Sequence, residues 1–336
     1  MSNALEWLLE EDVENPGVRY FALTDLLDRP ADDPEVVAAR RAVMERGPVP
    51  AILAAQDAAG YWEKPGTGYY PKYRGTVWSI IYLAQLGADP DDLRAQAGCE
   101  CLLANGRAST GVFSITGTPA GNIQCLNGNL GAALLDLGFA TDARLVQALE
   151  LMARFVTGEG IPSADVKSAP LRFYKSGTCG PGLRCSANNK LPCAWGAVKV
   201  LRALARMPES ERTPAMQGAL AATVDFLFSV DPATAEYPAG YSDKPSRSWF
   251  RFGFPVFYIT DVLQTAEALS EAGYGGDPRL AATYDLIQNK RDEAGRWKME
   301  YSYQGKTWMD IEQRGKPSKW VTLRAMRVLK ARESWA

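Results

Sequence analysis

A helix–turn–helix plan that recurs from end to end limits this chain more than any other feature. Four segments share it: DLLDRPADDPEVVAARRAV, AQLGADPDDLRAQAGCECLL, LDLGFATDARLVQALELM and SEAGYGGDPRLAATYDLI. Each closes a leucine- or alanine-rich helix, turns through Gly or Pro, reaches an acidic residue and begins a second, amphipathic helix. An Asp at that point accepts the free N–H groups of a first helical turn, and Gly or Pro past a helix end stops it. The helices leading into such turns begin at Pro16, Tyr73, Asn122, Leu191, Phe252 and Pro317, at intervals of 49 to 69 residues. Their partners are expected over 33–46, 90–104, 141–157, 212–229 and 277–290, with 2–11 supplying the sixth. A helix apolar nearly all round is buried, whereas a strongly amphipathic one faces water. Six inner and six outer helices in alternation predict an all-α fold, an (α/α)6 toroid (a double barrel of inner and outer helices), as a single domain over 1–336 with no sheet.

Composition narrows the chemistry. The 336 residues contain no histidine, which removes Ser-His-Asp and Cys-His catalysis and His-ligated zinc. Net charge is −2 with acids and bases mixed along the chain, so the basic excess of a nucleic-acid binder is missing. No apolar run reaches the length of a membrane helix, and the acidic start MSNALEWLLEEDVENPG is unlike a signal peptide. A cytoplasmic location is expected, with the six cysteines as free thiols or ligands rather than disulfides.

Glycine–aromatic stops punctuate the repeats: QDAAGYW, STGVF and NKRDEAGRW. With KYRGTVW, CLNGN, PCAWGAVK, FGFPVFYITDVL and KPSKWVTLRAMRVLK, they resemble the repeats of the terpenoid cyclase and protein prenyltransferase superfamily, including its squalene-cyclase-like bacterial members. The resemblance spans residues 16 to 331 and implies the toroid. Prenyltransferases of that group hold zinc with Asp, Cys and His, a set this chain cannot supply. The one D-x-D-D run, Asp89 to Asp92, precedes an outer helix and reads as capping.

In alternating repeats all inner helices run the same way, so six N-termini with their unpaired N–H groups converge on one mouth, a favourable place for an anion. Arg19, Lys72, Arg74, Lys190, Arg247, Arg251, Lys316 and Lys319 fall at that level, beside Tyr20, Tyr73, Trp78, Trp195, Trp249, Phe250, Tyr258 and Trp320. The expected site is a cationic, aromatic-rimmed pocket for a small molecule anionic at one end and apolar elsewhere. Its binding residues are Arg19, Arg74, Trp78, Asn127, Trp195, Arg251, Lys319 and Trp320; Asn127 and Asn129 either line the cavity or pin helices. Asp261, inside the apolar run FPVFYITDVL, would hold its proton and act as general acid, with Tyr258 beside it, or else pair with Lys199 or Arg324. Asp25 in FALTDLL is placed similarly. The stretch CGPGLRCSANNKLPC reads as a loop feeding the fourth inner helix. It carries Cys179, Cys185 and Cys193, and Cys193 and Cys125 occupy matching early positions of adjacent inner helices. Three readings stand: a thiolate-only metal site of Cys125, Cys179, Cys185 and Cys193, with zinc as a candidate; reactive thiols at Cys125 and Cys193, their acidity raised by the helix N-terminus; or plain packing.

The resemblance and the aromatic cavity favour an enzyme acting on an isoprenoid-like amphiphilic anion by acid chemistry. A metal- or thiol-dependent hydrolase of esters or phosphoesters and a non-catalytic lipid binder are the alternatives. No pair of carboxylates at one mouth is evident to run glycan chemistry.

Overall fold

The computed structural model describes residues 3–163, 165–169, 172–173 and 179–333. The chain is mostly helical, with thirteen α-helices among the described residues. In order they are α1 (Asn3–Leu9), α2 (Pro16–Phe21), α3 (Pro34–Glu45), α4 (Pro48–Ala54), α5 (Thr76–Leu86), α6 (Leu93–Asn105), α7 (Gln124–Asp136), α8 (Ala143–Thr157), α9 (Ala194–Arg206), α10 (Pro214–Leu227), α11 (Val262–Leu269), α12 (Ala281–Asn289) and α13 (Lys319–Glu333). All six expected apolar helices are present, although α11 begins ten residues later than predicted. The outer partners match α1, α3, α6, α8, α10 and α12; residue 2 of the expected first helix lies outside the described residues. Helix α4 is an addition, and a two-residue hairpin, β1 (Cys179–Gly180) on β2 (Arg184–Cys185), replaces the sheet-free loop predicted there.

The acidic caps behave as their chemistry requires. Asp92 accepts from Arg94 N (2.9 Å) and Ala95 N (3.2 Å), while Asp33 and Asp142 cap α3 and α8. Asp89 pairs with Arg40 at 2.9 Å, so the D-x-D-D run is a cap and a strut.

The glycine–aromatic stops are one device used three times. Trp62 N donates to Thr76 Oγ1 (3.1 Å), Phe113 N to Asn127 Oδ1 (2.9 Å) and Trp297 N to Thr322 Oγ1 (2.9 Å). The acceptor is in the first turn or two of the following buried helix each time. Both Trp indoles also reach back at 2.7 Å to a carbonyl ten residues earlier, Ile52 O and Ile287 O. Helix α4 is thus tied to α5, and α12 to α13, through a buried tryptophan.

Among the buried helices α5 touches α7, α7 touches α9, α9 touches α11, α11 touches α13 and α13 touches α2. Gly17 of α2 lies so close to the end of α5 that a Cβ there would sit 2.3 Å from Leu86 O. The partners α3, α6, α8, α10, α12 and α1 cover α2, α5, α7, α9, α11 and α13 in turn. No described helix is long and apolar enough to cross a membrane.

Candidate functional site

The segment read as the start of the fifth apolar helix crosses the interior of the buried set instead. Gln85 of α5 holds Val256 at both ends, accepting from its N–H (2.8 Å) and donating to its carbonyl (2.7 Å). Asn129 of α7 donates to Phe257 O (3.2 Å), and Arg324 of α13 donates to Gly253 O (2.7 Å). Three inner helices therefore pin one extended segment. Pro255 lacks an N–H for a helix, and Asp261, the expected mid-helix acid, is the N-cap of α11, accepting from Gln264 N at 2.6 Å.

This segment fills the end where the buried helices begin. Phe257 and Tyr258 pack there with Tyr69, Tyr73, Trp78 and Tyr303, ring centroids 4.6 to 6.4 Å apart. Lys72 Nζ stands over Tyr73, Tyr258 and Trp78 at 5.1, 5.4 and 5.8 Å. The cations expected to form a pocket here are engaged or outward. Arg74 pairs with Glu63 at 2.9 Å and stacks on Trp308, Lys319 pairs with Asp12 at 3.3 Å, Arg19 reaches Glu11 at 3.7 Å, and Arg251 is exposed. Trp78 is buried, with its indole on Tyr69 O (2.7 Å), and Trp195 packs half-buried on the core. Asn127 spends its amide on Phe113, Asn122 and Ile123, which makes it a pin.

The cavity lies at the opposite end, where the buried helices finish. It encloses about 590 Å³ and meets the last residues of α7 and α9, Asp136 and Arg206, and the turns that extend α2 and α11 at Asp25 and Glu271. Of the residues singled out from the sequence, Tyr20, Asp25, Asn129, Trp320 and Arg324 line it. One side is apolar: Tyr20, Phe21, Ile81, Phe254, Val256 and Trp320, with Phe254 stacked flat on Trp320 at 4.3 Å. The other carries Arg40, Arg202, Arg206, Arg324 and Arg327 against Asp25, Asp136, Glu267 and Glu271.

Arginines suit this end, because helix C-termini leave carbonyls and partial negative charge unpaired. Arg202 and Arg206 share Glu271, each at 3.0 Å, and Arg206 also contacts Asp136. Burial works against the Glu271 carboxylate, but the two guanidiniums outweigh it and hold its pKa down at about 2. Asp136 is shifted the other way: desolvation by the cavity wall and the Glu271 charge raise its carboxyl and Arg206 opposes the rise, although more than a third of the side chain stays open to solvent. Two neighbouring carboxyls shifted in opposite directions therefore sit at one mouth, an arrangement the sequence had not revealed. Deeper, Arg324 forks onto Glu267 (2.6 and 3.0 Å) and reaches Asp261 at 3.4 Å. That is the ion pair weighed for Asp261; burial raises its carboxyl, and Arg324 opposes the rise.

The cysteines form a chain rather than a shell. Cys179 faces Cys185 across the hairpin, Cys185 hydrogen-bonds with Cys193, and Cys193 with Cys125. Among the described residues no group of three or more His, Cys, Asp or Glu is placed to hold a metal ion, so the expected zinc set is not assembled. Cys193 also departs from the activated thiol expected at a helix start: its bond to Cys125 and burial push it up to about 12. Burial likewise raises Cys179, and the Cys193 contact raises Cys185. At neutral pH the Cys193 thiolate is then about a thousandfold scarcer than for an ordinary thiol. Titration with dithiobis(nitrobenzoate) should accordingly find Cys193 slow in the native protein and fast after denaturation; fast native reaction of that cysteine would refute the assignment.

No protein-family model matches the chain, and no curated protein matches it either.

Proposed function

We propose that the helix pairs close into an (α/α)6 toroid of the terpenoid cyclase and prenyltransferase type, and that its cavity binds a small molecule anionic at one end and apolar elsewhere. The succession of buried helices, with α13 returning to α2, supports the toroid. The observation that carries the ligand reading is the two-sided cavity of about 590 Å³, apolar at Trp320 and Phe254 and arginine-rich at Arg202 and Arg206. Two guanidiniums there face one firmly ionised carboxylate, Glu271, and one shifted upward beside it, Asp136. That balance leaves room for a ligand's phosphate or carboxylate, which guanidinium recognises by paired hydrogen bonds. Proton transfer is the chemistry within reach: Asp136 as the acid and Glu271 as the ionised partner, in a chamber whose aromatic wall suits a developing cation.

Calorimetric titration with farnesyl diphosphate and with dodecanoate tests this. At least one probe should bind, and Arg202→Met and Arg206→Met should each weaken it by about tenfold or more. Heat from neither probe, or equal affinity in both variants, would count against the site. If the bound probe is turned over, Asp136→Asn should lower kcat with little change in affinity.

A further inference from the structure

Lys199 takes no part in the site just described, and its surroundings are unlike those of any ordinary core lysine. It belongs to α9, three residues before Arg202 and seven before Arg206, which places all three on one helical face with Lys199 a turn below the cavity. The residue is 1% exposed, and its Nζ has no hydrogen-bond partner. Four titratable or charged groups on the packed elements act electrostatically on the amine: Cys125 of α7, Arg202 of α9, Asp261 at the start of α11 and Arg324 of α13. Two are cations. The carboxylate, Asp261, is occupied by Gln264 N and Arg324. An ammonium without a partner at such depth is costly, and a neutral amine is not. Burial lowers the lysine to about 7, so an unprotonated amine is present at neutral pH, when exposed lysines are charged. Desolvation beside other cations is how a lysine becomes a nucleophile.

We propose that Lys199 is an imine-forming lysine for an aldehyde or ketone that carries a carboxylate and enters through the cavity. The carboxylate requirement comes from Arg202 and Arg324, the two cavity-lining arginines whose charges act on the amine. The amine lone pair attacks the carbonyl carbon, a C–N bond forms, and the carbonyl oxygen takes a proton. The carbinolamine then loses that oxygen as water, taking up the second proton that the nitrogen releases. The nitrogen gives up both its protons across the two steps, and no oxidant or reductant is consumed.

This inference rests on the cavity being the ligand's way in. The test uses the full chain, glyoxylate as the smallest carbonyl acid of this class, and cyanoborohydride to reduce any imine to a stable secondary amine. After a short reaction at neutral pH, peptide mapping should place about half or more of the label on Lys199, against a minor share on every exposed lysine. Lys199→Met should lose that label, and hexanal, which has no carboxylate, should label Lys199 at least about tenfold less. Label spread over exposed lysines with Lys199 unmodified overturns the proposal, and the wild-type map alone decides this if the variant fails to fold. Equal labelling by hexanal overturns the carboxylate requirement. Binding of farnesyl diphosphate or dodecanoate without glyoxylate labelling would remove the imine and leave the cavity reading intact.

Discussion

Replacing Arg324 with methionine is expected to destabilise the protein by about 3–5 kcal/mol, the range for breaking a buried ion pair from one side. Arg324 is 3% exposed and serves three partners: Glu267, Asp261 and Gly253 O. Methionine fills most of the volume, so the loss comes from stranding Glu267, 6% exposed, without its counter-ion. Urea unfolding should show the midpoint fall, and Arg324→Met combined with Glu267→Met should regain most of it, since an apolar pair tolerates burial. A loss below about 1 kcal/mol in the single variant would mean that water reaches the cluster. The neighbouring acid in the turn that follows α11 gives this a pH signature. Glu271 has a folded pKa of about 2 against an ordinary value of 4.5, so its contribution is complete above 4.5 and drains away as pH falls towards 2. Glu271→Gln should flatten the stability curve over that window and leave its shape above it unchanged.

The caps explain why so much of the fold was legible. Asp33, Asp92 and Asp142 follow a turn and precede an amphipathic run, and each accepts the N–H groups its position predicts. Local chemistry decides such boundaries, and local sequence carries it. The run from Phe252 to Thr260 is different. Aromatic and β-branched residues buried on every side look alike whether coiled or extended, so the apolar pattern could not separate an inner helix from a segment threading the centre. Two local signs pointed the right way: Pro255, and Asp261 three residues before Gln264, the spacing of a capping box. The cavity's end was less accessible still. The repeat pattern leads one to expect that the apolar helices run alike, but it does not say which end is filled. That depends on bonds from Gln85, Asn129 and Arg324 to a segment 71 to 171 residues away in sequence. The arginines at the open end did leave a trace. Arg202 and Arg206 are like charges one turn apart on a helix otherwise built for burial, an unfavourable pair unless acids arrive from elsewhere. Glu271 and Asp136 are those acids.

Gly128→Val is the second large effect, and it couples the fold to the lysine beneath the cavity. A Cβ at Gly128 would lie 2.4 Å from the Lys199 carbonyl carbon, 2.5 Å from its oxygen and 2.7 Å from Lys199 Cβ. Those atoms belong to α9 itself, so no rotamer change relieves the overlap, and α7 and α9 have to separate. The seam stays close one turn on, where a Cβ at Gly131 would lie 3.1 Å from Ala203 Cβ of α9. Forcing it open should cost about 3 kcal/mol or more, at the upper end for overpacking, because backbone meets side chain where only hydrogen fits. Gly128→Ala should cost less, yet clearly more than alanine at an unencumbered glycine, where it stabilises by reducing unfolded-state freedom. Thermal unfolding of both variants measures the series. Valine tolerated without loss would mean that the two helices do not approach this closely. A folded Gly128→Ala protein has a further use: displacing Lys199 on the α9 backbone should alter its amine's access to glyoxylate, while Arg206 at the far end of the same helix still meets Glu271 and Asp136.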